Sequence, residues 1–244
     1  MKRAALISLF AAVLCSCTAE LTRPVSGDGW LCIEDIRVGG HSVLGTKGTV
    51  DSDFAITIFD GSGAAVESFT AGNVPSKVAL PTGEYTLSAS SANIDSWTAA
   101  AGGVGEAAFM DEVKFTIEPE MYSYVKVVAP MVNYGVRFEV EEGLEQWFTT
   151  FSLTADGSGG RGLALTEGVT GWFDDEKLTF HLNATNTDGD SFNGSSYVFS
   201  PKKGHRYTFR YFLSPEETQT GGADIEIIID DEFIDGDDEE VIVE

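Results

Sequence analysis

Val78-Ala79-Leu80-Pro81-Thr82-Gly83-Glu84-Tyr85-Thr86-Leu87-Ser88-Ala89 is the stretch on which the fold class turns. Pro81-Thr82-Gly83 reads as a turn, because proline presets one backbone dihedral and glycine accepts conformations closed to other residues. After it, Tyr85, Leu87 and Ala89 fall on one parity and Glu84, Thr86 and Ser88 on the other. A period of two puts the first set on one face of a pleated strand and the second on the opposite face. One face then packs and the other is wet, as in antiparallel sheets.

The same signature recurs in both directions. Upstream, Phe54, Ile56 and Ile58 alternate with Ala55, Thr57 and Phe59 before an Asp60-Gly61 turn. Downstream, Val113, Phe115 and Ile117 oppose Lys114, Thr116 and Glu118, and a strand near 124–128 completes a first set. A second set begins at Tyr134: Val136, Phe138 and Val140, then Phe151 and Leu153, then Leu178, Phe180 and Leu182. It continues with Tyr197-Val198-Phe199, with Tyr207, Phe209, Tyr211 and Leu213, and with Ile225, Ile227 and Ile229. The glycines of 157–162 read as a hairpin loop, and the one helix-like piece, Glu141–Phe148, is too short to set the class. Many short strands between turns predict an all-β protein of two tandem antiparallel β-sandwich domains, 30–130 and 131–230, meeting near Pro130. A single larger sandwich is the alternative.

The N-terminus carries a different signal. Lys2-Arg3 is followed by the apolar run Ala4 to Leu14 and then Cys15-Ser16-Cys17. A basic start, a short apolar core and a cysteine after a small residue make a lipoprotein signal peptide over 1–16, with Cys17 as the lipidated first residue. The run is too short to span a bilayer, which takes roughly twenty apolar residues. The chain is therefore expected to be attached to a membrane through its N-terminal lipid, with 17–29 as a tether. Thr18 follows the cysteine where an aspartate would favour inner-membrane retention, so the expected location is the outer membrane, at the cell surface.

Composition narrows the function. The chain has 244 residues, a formal charge of −24 and 27 glycines, and its pI is near 4.2. Nucleic acid is excluded as a partner, because phosphate binding needs clustered Lys and Arg. Anionic lipid heads are excluded as a docking surface for the same reason. With Cys15 in the cleaved segment and Cys17 as the anchor, Cys32 is the one cysteine left, so no internal disulfide is expected. Its setting, Trp30-Leu31-Cys32-Ile33, reads as a buried strand start. His41, His181 and His205 lie far apart and match no zinc spacing, and no G-x-S-x-G elbow is present. No enzyme, cofactor or metal site is expected.

The terminal segment 231–244 is acidic, closing on Val241-Ile242-Val243, a triplet able to add a strand to a sheet edge. Placing Gly236 sixth in an EF-hand loop puts Phe233 third and Ile242 twelfth, which removes two ligands and excludes that motif. Loose calcium binding over Asp235–Glu240 stays open. The aromatics most open to a partner are Trp172 and Phe173, after Gly171 in an apparent loop, and Trp97 in another; each serves either core packing or a binding platform.

Three stretches resemble the Bacteroidota lipoprotein family DUF4493: Phe54–Asp60 with Val78–Leu87; Tyr134–Ala155; and Gly171-Trp172-Phe173 with Leu178–Gly189 and Gly204-His205-Arg206-Tyr207. The chain departs from the family over Ala100–Phe109, which replaces a Tyr-Tyr-x-Gly element. The family is in turn similar to fimbrillin-type pilus and anchor proteins. That resemblance implies paired transthyretin-like sandwiches and a role in adhesion or pilus assembly, with a protein partner at the surface. A glycan-binding lipoprotein of a nutrient-uptake system is the alternative.

Overall fold

A computed structural model describes residues 27–38, 41–42, 54–98, 103–193, 196–213 and 225–234. The expected signal peptide, Cys17, the tether up to residue 26, Asp235–Glu240 and the Val241-Ile242-Val243 triplet lie outside the described residues.

The first half is built from β1 (Asp28–Val38), β2 (His41–Ser42), β3 (Ala55–Asp60), β4 (Ala65–Thr70), β5 (Val78–Pro81), β6 (Gly83–Ser90), β7 (Met110–Ile117) and β8 (Tyr122–Ala129). One sheet runs β4-β3-β6-β7; in the other, β1 pairs with β2, β5 and β8. Their facing side chains share one core: Leu31, Ile36, Val78, Leu80, Val125 and Val127 from one sheet, Ile56, Ile58, Leu87, Ala89 and Ile117 from the other. These are the residues of apolar parity, so the alternation decides which face is buried. Gly29 allows β1 to start tightly, since a Cβ there would meet the Glu118 carbonyl and the Ile117 side chain. The Trp30 amide can then donate to the Met121 carbonyl at 2.8 Å.

The second half contains β9 (Tyr134–Val140), β10 (Phe148–Gly157), β11 (Gly162–Leu165), β12 (Gly171–Phe173), β13 (Leu178–Asn186), β14 (Ser191–Asn193), β15 (Tyr197–Phe199), β16 (His205–Leu213) and β17 (Ile225–Phe233). Sheet β12-β9-β16-β17 faces sheet β11-β10-β13-β14, with β15 also paired to β13. The enclosed core is separate from the first and strongly aromatic. Phe180 lies 4.5 Å from Phe209, and Phe199 lies 4.7 Å from Tyr207, between ring centroids. Burial pushes the Tyr134 and Tyr211 phenols far above the ordinary tyrosine value, so neither ionises in the folded chain.

Several expectations are corrected. The sheets are mixed, not purely antiparallel: β1 runs parallel to β8, and β9 parallel to β16. Each parallel partner is separated from the other by a long intervening chain that builds the second layer, which is the length a parallel crossover needs. Glu141–Phe148 is no helix; it holds a single 3-10 turn, Leu144–Gln146, entered through Gly143 at φ 109°, and Phe148 already opens β10. Strand β4 was not anticipated, because it is an edge strand with Ala65, Val66, Glu67 and Ser68 all exposed and no buried parity. Strand β1 starts two residues before the expected boundary, and β17 reaches Phe233 inside the expected acidic tail.

The loop over residues 103–109 joins the two halves. Asn133, fully buried, accepts from the Ala108 amide at 3.1 Å and donates to the Glu106 carbonyl at 2.8 Å. The Val104 carbonyl accepts from the Trp172 amide at 2.8 Å, and the Gly103 carbonyl accepts from Arg161 Nη2 at 2.6 Å. The Arg161 guanidinium lies 5.2 Å from both the Trp97 and Phe173 ring centroids. Burial lowers the Arg161 pKa, and Asp174 and Asp175 oppose that shift. Replacing Asn133 by alanine strands the buried Ala108 amide, which costs about 1–3 kcal/mol. The expected result is a lower chemical denaturation midpoint with an unchanged m-value.

Candidate functional site: an aromatic face on the first sandwich

Strand β8 is two-faced. Val125, Val127 and Ala129 enter the core, so Tyr122, Tyr124, Lys126 and Val128 point away from it. The parallel register sets Trp30 of β1 beside Tyr122, and Cys32 beside Tyr124. Because Leu31 faces the core, Trp30 and Cys32 lie on the outer side. The result is a three-ring row: Trp30 to Tyr122 at 6.5 Å and 18° between planes, Tyr122 to Tyr124 at 6.4 Å and 26°.

One end of the row is held by a cation. Lys77 Nζ lies 4.4 Å from the Trp30 ring centroid and 5.9 Å from that of Tyr122, an attraction to the ring quadrupole worth about 0.5–1 kcal/mol at an exposed site. Trp30 is thereby buried and acts as a backing plate, while Tyr122 and Tyr124 are 48% and 63% exposed. Met121 and Val128 extend the apolar surface at 55% and 60% exposure. Ion pairs border the other end, Lys126 with Glu34 at 3.4 Å and Arg37 with Asp35 at 2.9 Å. An apolar centre with a charged margin, on a strand pinned by its other face, is the anatomy of a recognition surface.

The aromatics expected as a platform lie elsewhere. Phe173 is fully buried in β12, in a strand rather than a loop, and belongs to the second core. Trp97 is 8% exposed and lies beneath Arg161 at the junction. Trp172 is half-buried on the outer side of β12 beside Gly135, where a Cβ would clash with the Thr170 Cγ2 at 2.7 Å. These three do not form one face with Tyr122 and Tyr124. Cys32 is half-buried rather than in the core, because its parity is opposite to that of Leu31. The signal for this outward face was present in the sequence: Tyr122 and Tyr124 share a parity opposite to Val125 and Val127.

Two histidines each pair with one carboxylate, His181 with Asp156 at 3.3 Å and His205 with Asp231 at 2.5 Å. Among the described residues, no group of three or more His, Cys, Asp and Glu side chains converges on a metal position. No helix among them is long and apolar enough to cross a membrane.

The family model of DUF4493, a domain of unknown function, matches residues 27–244. The chain belongs to this family. No curated protein matches it. Among solved structures, the DUF4493 chain is similar to a candidate cell adhesion protein of Bacteroides eggerthii at 11% identity and TM-score 0.48, covering 86% of this chain and 96% of that one. A candidate cell adhesion protein of Bacteroides uniformis gives 12% identity and TM-score 0.44, over 85% and 99% of the two chains. A candidate polysaccharide-binding protein of Bacteroides thetaiotaomicron gives 13% and 0.40, over 77% and 92%.

Proposed function

We propose that this DUF4493 chain is a non-enzymatic lipoprotein, anchored through Cys17 in the outer membrane, that serves adhesion or a pilus-like assembly at the cell surface. The observation that carries the reading is the outward pair Tyr122 and Tyr124, backed by Trp30 on a strand locked into its sheet. A protein partner fits this surface. Tyrosine, tryptophan and methionine dominate the centres of protein interfaces, and tyrosine contributes area at little conformational cost. The high negative charge keeps neighbouring copies apart and soluble, so association depends on the apolar centre. Glycan capture through Trp97, Trp172 and Phe173 would rest on Trp172 alone.

The double substitution Tyr122→Ser/Tyr124→Ser tests the reading. Both side chains point outward, so the unfolding midpoint should hold. Attachment of cells displaying the protein to partner cells should fall at least tenfold, the equivalent of about 1.4 kcal/mol. Attachment at the wild-type level would place the adhesive surface elsewhere and overturn the assignment of this face.

A further inference from the structure

The other layer of the first sandwich carries a groove of about 720 Å³ on its outer face. Strand parity builds it. Phe59, Thr86 and Lys114 are cross-strand neighbours in one row; Glu84 and Thr116 occupy the next, and Ser88 and Glu112 the row beyond on the other side. The β3–β4 turn walls one end. There the Asp60 carboxylate accepts from the Ser62 amide at 2.8 Å, the Ser62 hydroxyl at 2.6 Å and the Ala64 amide at 3.0 Å. These bonds, the Ser62 hydroxyl foremost, hold its carboxyl below the usual range. Gly61 and Gly63 line the groove without side chains to close it.

We infer that this groove binds a neutral glycan. A pyranose offers an apolar C–H face and a rim of hydroxyls. The half-buried Phe59 ring supplies the apolar contact, and Thr86, Thr116, Glu84, Glu112 and Lys114 supply acceptors and donors around it. Charged acceptors make the stronger hydrogen bonds, and the volume lies within the roughly 300–1,000 Å³ of small-ligand sites. These polar groups remain available: the salt bridges of the described residues involve none of Glu84, Glu112 and Lys114. The outer face of β9-β16-β17 contrasts with it, because Arg137, Arg206 and Arg210 there are paired with Glu139, Glu232 and Asp230. Asp60, Glu84 and Glu112 surround a single lysine on a chain of charge −24, so uronic acids, sialic acids and phosphates are repelled.

The groove and the tyrosine face lie on opposite layers, so the two assignments fail separately. Affinity electrophoresis of the folded chain in gels containing a β-glucan, a mannan, a galactan or polygalacturonate provides the test. At least one neutral polymer should retard the wild-type protein. Phe59→Ala and, independently, Glu112→Gln should reduce that retardation at least tenfold, while Tyr122→Ser/Tyr124→Ser leaves it intact. Glu112 is an exposed side chain, so its variant reports binding even if Phe59→Ala fails to fold. Four outcomes would overturn the inference: no retardation by any neutral polymer, preferential retardation by polygalacturonate, Glu112→Gln binding as wild type, or loss only in the tyrosine variant.

Discussion

Cys17→Ser is expected to abolish lipidation, and with it the lipid anchorage in the outer membrane. In the proposed lipoprotein the Cys17 thiolate is the nucleophile that takes up the lipid, and a serine hydroxyl, with a far higher pKa, does not replace it. Each buried methylene of an acyl chain contributes about 0.8 kcal/mol to membrane partition, so removing the lipid removes that anchorage. Charge does not substitute for it: a chain of charge −24 gains no electrostatic hold on an anionic surface. Radiolabelled fatty acid should enter the wild-type protein and not the variant, and the variant should retain its uncleaved leader. Normal lipid incorporation and processing in Cys17→Ser would dismantle the anchored-display account.

Phe209→Ala is expected to have the largest effect on stability. The side chain is fully buried at the centre of the second core, 4.5 Å from Phe180 and 5.5 Å from Phe199 between ring centroids. Truncating a buried phenylalanine costs about 3–5 kcal/mol, because transfer free energy is lost and a cavity remains. The two cores share no residues, the first ending at Ala129 and the second starting at Tyr134. Hydrogen exchange should therefore show lost protection in β9, β13 and β16 while β3 and β6 keep theirs. Equal loss across all strands would mean that the junction at Asn133 and Arg161 couples both halves into one cooperative unit.

Burial parity was legible in the sequence; strand partnership was not. The alternation at Tyr85, Leu87 and Ala89 gives the buried face directly, because a pleated strand offers only two. Alternation carries no information about the neighbouring strand, so the parallel pairs β1–β8 and β9–β16 could not be read from it. Edge strand β4 was missed because it lacks a buried face, and β12 because three residues are too few to show a period. The exposure of the aromatic residues differs from the expectation for a related reason. Trp97, Trp172 and Phe173 drew attention as large aromatics near apparent loops, yet Phe173 is fully buried and Trp97 nearly so. The strand expected near 124–128 begins at Tyr122, so the outward pair Tyr122 and Tyr124 extends beyond the expected segment. Their exposure follows from the same parity rule that buries Val125 and Val127.

Surface labelling of intact cells tests the anchored, outward-facing display most directly. A membrane-impermeant enzymatic iodination should modify Tyr122 and Tyr124 on unbroken cells, and contact with partner cells should protect both. Tyr134 and Tyr211, each about 1% exposed, should stay unmodified in the folded protein. Labelling of Tyr122 and Tyr124 only after the envelope is opened, or labelling unchanged by partner cells, would contradict a surface adhesin that binds through this face.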